Sequence, residues 1–463
     1  MIPARSLATS VLLLMLCACK LGPNYSRPPV TLPDQYRGLA PEASPTPPSA
    51  EAFGEMKWWT VFQDKVLEDL IKEALSNNYD IRIAASRVVQ AQAALGITRA
   101  DQFPQVSASG GIQQVKSALF PGGPTFESLS VQASYIIDFW GQYRRATEAA
   151  KANLVATQFG QDVVRTTLVS NVASAYFNLR QYDLQLDYSQ KTLAANKEML
   201  NLNTVKFKGG ESAETDVLQA QLLVEQTEAQ IISLNQAIEQ TENAISILLG
   251  RNPGSIVRGI SLTEQAHMPQ VPAGLPSSLL QRRPDVRQAE MQLVAANANV
   301  GVAKAAFFPQ FALTGQYGMQ STSITSFLQG PAQFWAVGGQ VLQPIFAGGR
   351  IRSNYNLAWA KRDEAELAYK QSVQRAIADV SNSLVGYSQS QKFRAKIQEQ
   401  TDTYYETARL ANVRFTGGAT SFLEVLVTQQ QYFTSQLALA QAWNDELQNY
   451  VQLYRALGGG WEL

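Results

Sequence analysis

A chain that repeats itself at long range has few ways to fold, and this one repeats across nearly its whole length. Val205-Lys206-Phe207-Lys208-Gly209-Gly210 lies over Val413-Arg414-Phe415-Thr416-Gly417-Gly418, 208 positions apart. Phe103-Pro104 matches Phe308-Pro309, and Asn78-Tyr79-Asp80-Ile81-Arg82 matches Arg283-Pro284-Asp285-Val286-Arg287, both at 205. Gly141 matches Gly348 at 207, and Leu248-Leu249-Gly250 matches Ala456-Leu457-Gly458 at 208. So many marks in the same order make the chain a tandem duplication, and an internal repeat outranks other fold signals.

Each copy reads as three zones. The first is helical: from about Val66 to Ala100, Leu67, Leu70, Ile71, Ala74 and Leu75 begin an apolar stripe that continues to Leu95, and Pro104 stops it. The second alternates with period 2. Val106, Ala108, Gly110 and Ile112 face one way, and Gln105, Ser107, Ser109 and Gln113 the other. Beyond a Pro/Gly loop, Leu129, Val131, Ala133, Tyr135, Ile137 and Phe139 oppose Ser128, Ser130, Gln132, Ser134 and Asp138. Each run is close to the ten or so residues that a tilted membrane strand needs. In the second copy Phe311, Leu313, Gly315 and Tyr317 alternate with Gln310, Ala312, Thr314 and Gln316. The stretch 334–346 holds Gly338, Gly339 and Pro344, which leaves its parity open and suggests a bulge.

The third zone is a long helical run, from Gly141 to Gly250 and again from Gly348 to Gly458, broken once by a turn with a Gly pair. About 65 residues at 1.5 Å each give a helix of roughly 100 Å, the realm of coiled-coil packing. The Gly pairs Gly209-Gly210 and Gly417-Gly418 are expected to supply positive φ at the helix ends and to reverse the chain. The fold class is therefore α+β: a tandem-repeat subunit with four long-helix segments and two β-hairpins, the first repeat at 63–265 and the second at 266–463. Four strands cannot close a barrel, and lipid cannot solvate open strand edges. Closure needs several copies, and three would supply twelve strands.

Composition narrows the function. Lys plus Arg equals Asp plus Glu at 38 each, and charged residues are only 16%. No basic run invites nucleic acid. The single His267 sits in a Pro-bearing connector, and no nucleophile–base set, phosphate loop or metal-ligand spacing appears, so the chain reads as a non-enzyme without a metal. Both cysteines, Cys17 and Cys19, fall in the first twenty residues. Arg5 and the apolar run Val11–Leu16 make residues 1–18 a signal peptide, too short to span a bilayer. Leu16-Cys17-Ala18-Cys19 resembles a bacterial lipoprotein cleavage box with Cys19 as the acylated residue, carrying diacylglycerol and an N-acyl chain such as palmitate. Lys20 in the next position favours the outer membrane. Residues 19–62, with eight prolines between Pro23 and Pro48, read as an extended lipidated tether.

Four further stretches carry a family resemblance: Cys19-Lys20-Leu21-Gly22-Pro23-Asn24-Tyr25, Gln281-Arg282-Arg283-Pro284-Asp285-Val286, Ala295-Ala296-Asn297-Ala298-Asn299-Val300-Gly301 and Ala456-Leu457-Gly458-Gly459-Gly460-Trp461. They resemble the TolC-like outer-membrane efflux factors, in the NodT-type lipoprotein branch. The resemblance implies a homotrimer whose outer-membrane β-barrel continues as a periplasmic α-barrel in a Gram-negative bacterium. It also implies a tripartite pump, with a periplasmic adaptor and a proton-driven inner-membrane pump as partners, exporting drugs, toxic organics or metal ions. By the same resemblance the tips at Gly209, Gly210, Gly417 and Gly418 meet the adaptor, and Leu423 and Val427 lie at a periplasmic gate. Val427 occupies the place where relatives carry an acid, leaving Glu424 as a substitute only if it turns into the lumen. Two other functions stay open at this point: a duct for secreted polypeptides, and a structural periplasmic coiled-coil lipoprotein. Lipid-facing strands would serve a duct and have no use in a spacer.

Overall fold

The duplication is carried into elements of matched length. The computed structural model describes residues 20–33, 36–37, 64–114, 116, 122, 125–265, 282–323, 327, 329 and 332–459. The expected signal peptide, Cys19, most of the tether and His267 lie outside these residues. The described elements run α1 Lys65–Asn77, α2 Tyr79–Ala100, β1 Gln105–Gln114, β2 Thr125–Ile137, α3 Gln142–Lys208 and α4 Glu214–Leu248. The second series is α5 Pro284–Ala305, β3 Gln310–Ser321, β4 Gln333–Leu342, α6 Arg350–Thr416 and α7 Phe422–Ala456. Helices α2 and α5 both have 22 residues, α3 and α6 both 67, and α4 and α7 both 35.

The helical stretch from Val66 to Ala100 is two helices, not one. Asn78 separates them: its Oδ1 accepts from the backbone N–H groups of Asp80 (2.8 Å) and Ile81 (3.3 Å), capping α2, while its amide donates to Leu248 O at 2.9 Å. Satisfying the orphan N–H groups of a new helix compensates for the break.

Two compact units are assembled from interleaved segments. One comprises residues 1–30, 86–158 and 288–371; the other 31–85, 159–287 and 372–463. The expected repeat boundary at 265/266 divides the chain in sequence, whereas each compact unit draws segments from both sides of it.

In the first unit the strands form one antiparallel sheet in the order β1-β2-β3-β4. Pairings such as Val106↔Ala133, Val131↔Tyr317 and Tyr317↔Trp335 put the apolar alternation of every strand on one face. The same register fixes the parity of β4: Trp335, Val337, Gly339 and Val341 join the apolar face, and pairing runs unbroken from Gln333 to Leu342. The expected bulge is absent there because the strand ends at Leu342, ahead of Pro344. In the same unit, Ala149 and Ala152 of α3 pack on Ala295 and Ala298 of α5, small residues that let two helix backbones approach.

In the second unit the core centres on Tyr176 and Phe177 of α3, both fully buried. Buried Asp64 caps α1 through the N–H groups of Val66 and Leu67 and accepts the Tyr176 hydroxyl at 2.7 Å. Burial foremost, with Asp64 adding, pushes the Tyr176 pKa above the usual phenol range. The long helices are joined by amide side chains: Gln181 to Gln441 (2.6 Å), Asn444 to Asn178 (2.8 Å) and Gln448 to Ser174 O (2.8 Å) tie α7 to α3. Glutamine and asparagine hold a helix seam while keeping its polar face wettable, which an all-apolar seam would not.

Candidate channel surfaces

The first surface is the sheet. Its apolar face is open to the exterior, with Trp335 76% and Val337 80% exposed and Leu129, Val131, Leu313, Tyr317 and Val341 all exposed. Burying such side chains is worth about 1.5–3 kcal/mol each. A face this extensive therefore implies a surrounding that is itself apolar. The opposite face is polar: Ser109 and Ser130 share a hydrogen bond of 3.3 Å, and the Gln316 amide donates to Ser130 Oγ at 3.0 Å. β1 and β4 are edge strands.

One end of this sheet carries aromatic rings. Phe139 meets Phe311 edge-on at 5.0 Å, Trp140 lies 4.7 Å from Phe308, and Phe307 meets Tyr355 at 5.7 Å. A girdle of rings at the rim of an apolar band is the mark of a membrane–water interface. Among the described residues, no helix is long and apolar enough to cross a membrane.

The N-terminal segment is strapped to this unit, which no spacing in the sequence announced. Buried Arg145 donates through Nε to Leu21 O (2.9 Å) and through Nη2 to Asn24 Oδ1 (2.9 Å). Asn297 donates to Pro23 O at 3.0 Å, and Leu21 N to Trp140 O at 3.1 Å. Arg27 grips buried Glu290 with two bonds of 2.7 Å, and the Tyr25 hydroxyl donates to the same carboxylate at 3.0 Å. Burial and then Glu290 drive the Tyr25 pKa upward, so it stays a donor. Gly22, at φ +93°, passes so close to Gly301 that a Cβ there would come within 2.4 Å of the Gly301 Cα. Residues 20–25 and 295–301, from two stretches that carried the family resemblance, are thus two sides of one contact.

The second surface is the pair of helix tips. Gly209 N–H donates to Val205 O, Gly210 N–H to Phe207 O and Glu211 N–H to Lys206 O at 3.0, 3.0 and 2.8 Å. The second tip repeats the pattern with Gly417, Gly418 and Ala419 on Val413, Phe415 and Arg414. This is a Schellman ending, and it corrects the expectation for the glycine pairs: only Gly210 (φ +78°) and Gly418 (φ +74°) are left-handed. Gly209 and Gly417, just past the last residues of α3 and α6, still make the helical bond four residues back. The tips are packed together by Phe422, Val425, Leu426, Ala411 and Ala220, and the Lys206 ammonium sits 4.5 Å above the Phe415 ring.

Leu423 and Val427 stand one turn apart on the opposite, solvent side of α7, 57% and 46% exposed. Neither belongs to the buried tip cluster of Phe422, Val425 and Leu426. Glu424 accepts from Arg414 Nη1 at 3.1 Å and from the Thr420 hydroxyl, so its carboxylate is engaged in the turn. Cys19 lies outside the described residues; Lys20, its neighbour, forms an ion pair with Glu148. Among the described residues no cluster of His, Cys, Asp or Glu could hold a metal ion.

A family model described as outer membrane efflux protein matches residues 70–251 and 275–459. The chain belongs to the outer membrane efflux protein family. It is 34% identical to the solvent efflux pump outer membrane protein SrpC of Pseudomonas putida over 97% of both chains. With the cation efflux system protein CusC of an Escherichia coli O6:H1 strain it shares 32% identity, again over 97% of each. Its fold matches the crystal structure of the open state of the Neisseria gonorrhoeae MtrE outer membrane channel with a TM-score of 0.86. That match has 28% identity and covers 96% of this chain and 98% of the other. The protein is accordingly an efflux channel component of the outer membrane, a transport protein and not an enzyme. The sheet's outward apolar face fits that location.

Proposed function

We propose that the protein forms the outlet of a tripartite pump that expels small molecules, and that three copies close its sheet into one twelve-stranded barrel. The observation that carries this is the sheet: one face apolar and exposed, the other polar, both edges unpaired. Antiparallel order β1 to β4 lets the β4 edge of one copy meet the β1 edge of the next, removing every edge. The long helices continue the conduit on the periplasmic side, where an adaptor reaches the tips around Gly209, Gly210, Gly417 and Gly418 and a proton-driven inner-membrane pump supplies the cargo. Solvents and cations appear in the names of two relatives, and cargo of that size class is assigned to this chain.

Cleavage after residue 18 would leave Cys19 for acylation. Support comes from the strap: Leu21 is hydrogen-bonded beside Trp140 at the aromatic rim, so acyl chains on Cys19 would start at the level of the headgroups. Residues 19–62 then act as a tether. Leu423 and Val427, both exposed, would form the periplasmic constriction as rings of three.

The experiment is purification in detergent followed by planar-bilayer recording. A heat-resistant trimer that conducts is expected; a monomer that leaves the film silent overturns the reading. Leu423→Ser should raise conductance if the ring constricts the pore, and unchanged conductance removes Leu423 from the gate. A bulky residue at Gly417 should abolish drug or solvent resistance without loss of trimer, and intact resistance would reject the tip as a docking point.

A further inference from the structure

The strand register sorts every side chain of the sheet onto one face or the other, which makes the wall of the proposed pore readable residue by residue. The face opposite the apolar one comprises Gln105, Ser107, Ser109, Gly111 and Gln113 of β1 and alternate residues Phe126 to Ile136 of β2. It continues with Gln310 to Gln320 of β3 and Phe334 to Leu342 of β4, again in alternation. These positions hold serine, threonine, glutamine, glycine, alanine and, at the ends, Phe, Ile and Leu. Among the described strand residues the one charged side chain is Glu127, and its parity, shared with Leu129 and Val131, is that of the apolar face.

Several of the polar groups on this wall bond within the sheet. Ser109 bonds Ser130, Gln316 bonds Ser130, the Ser128 hydroxyl donates to Gly111 O at 3.3 Å, and Thr314 donates to Gly338 O at 3.5 Å. Such a wall offers dipoles to a passing solute but no counter-ion. We propose that the membrane section of the channel is charge-blind: its described strand residues put no fixed charge on the wall, Asp138 just past β2 on the same parity being paired with Arg144, and it passes neutral organic molecules, cations and anions without sorting them by sign. A channel dedicated to cations would place carboxylates here. A ring of three within a Debye length of about 8 Å would enrich cations roughly tenfold. The inference rests on the barrel reading above, because the wall is a pore wall only if the sheet closes.

The test separates the two. Both natural cysteines precede residue 20, so thiols introduced as Gln132→Cys and Thr314→Cys, both exposed on the polar face, report against the parent protein. Val131→Cys on the apolar face is the control. Outer-membrane vesicles are treated with cationic trimethylammonium-ethyl and anionic sulfonato-ethyl methanethiosulfonate, and the rate ratio is divided by that of a small free thiol. The expected result is reaction at 132 and 314 with a normalised ratio within about threefold of unity, and no reaction at 131. A ratio of ten or more in favour of either sign overturns the charge-blind wall while leaving the barrel intact. Reaction at 131 with protection at 132 and 314 overturns the barrel's face assignment, and the inference with it. Thr314→Cys decides alone should Gln132→Cys fail to reach the membrane.

Discussion

Adjacent glycines at the second tip should respond to the same substitution with opposite sign. Gly418 is left-handed at φ +74°, and a Cβ built on it meets nothing within 4 Å. Its cost on Gly418→Ala is therefore the backbone term alone, about 1–2 kcal/mol for an L-residue in that region. Gly417 lacks a positive φ, and its added Cβ would make an ordinary 3.5 Å contact with Val413 O. Gly417→Ala should be neutral or stabilise by about 0.4–1 kcal/mol, because alanine restricts the unfolded chain. The gap between the two variants is thus roughly 1–3 kcal/mol, a factor of about 5 to 150 in a local opening constant. Hydrogen exchange of the Ala419 amide, which donates to Arg414 O at 2.8 Å, reads that opening in the detergent-solubilised protein. Exchange should accelerate in Gly418→Ala and stay level or slow in Gly417→Ala, with Gly418→Asn in between since asparagine tolerates the left-handed region. Equal acceleration in both variants would refute the assignment of the two glycines to different backbone regions.

Three other outcomes follow from the same geometry. Val337→Arg, on the exposed apolar face, should cost about 2–4 kcal/mol of membrane stability and cut the outer-membrane yield, whereas Gln132→Arg on the polar face should leave yield unchanged. Tyr176→Phe removes a 2.7 Å donor from buried Asp64 and should destabilise by about 1.5–3 kcal/mol in a denaturation series, the range for a hydrogen bond to a charged group. Burial alone would raise the Glu148 pKa, but its bonds to Lys20 and Arg145 more than offset that and hold it below the ordinary value. A depressed carboxylate stabilises above its unfolded pKa, about 4.3, and that contribution disappears as pH falls through the lower folded value. A nitroxide at Ser26→Cys should thus loosen only in acid below about pH 4, and Glu148→Gln should loosen it at every pH.

The parts of the fold that the sequence revealed are those set by local periodicity. Val106 to Ile112 and Leu129 to Ile137 declare their faces because the side-chain period of a strand is 2, and one register slip would turn the whole set over. The 334–346 segment hid its parity because Gly338 and Gly339 carry no side chain to vote, and Pro344 looked like a defect inside a strand that in fact ends at Leu342. The break at Asn78 was invisible for a different reason: its amide answers Leu248 O, 170 residues away. The strap is the extreme case, since Gly22 and Gly301 belong to no common pattern until both are placed. At the proposed gate, periodicity alone could set Leu423 and Val427 on one side of a helix, but not say that the buried side was the other one.

The two halves also show how a duplicated chain diverges. Asn78 and Arg283 occupy equivalent positions, 205 apart, and both donate to the carbonyl end of the helix that closes their own repeat: Asn78 to Leu248 O at 2.9 Å, Arg283 to Ala456 O at 3.4 Å. A short amide suffices in the first copy. The longer guanidinium of the second brings a charge into a site where its side chain is only 11% exposed. An isolated buried charge is costly; Asp285, the counterpart of Asp80, answers it at 2.7 Å, and the second copy adds Asp379 at 2.9 Å. The capping task is conserved between the copies while the electrostatics are rebuilt around it. That is why the repeat is plain in the positions of turns and helix ends and faint in the identity of the residues that hold them.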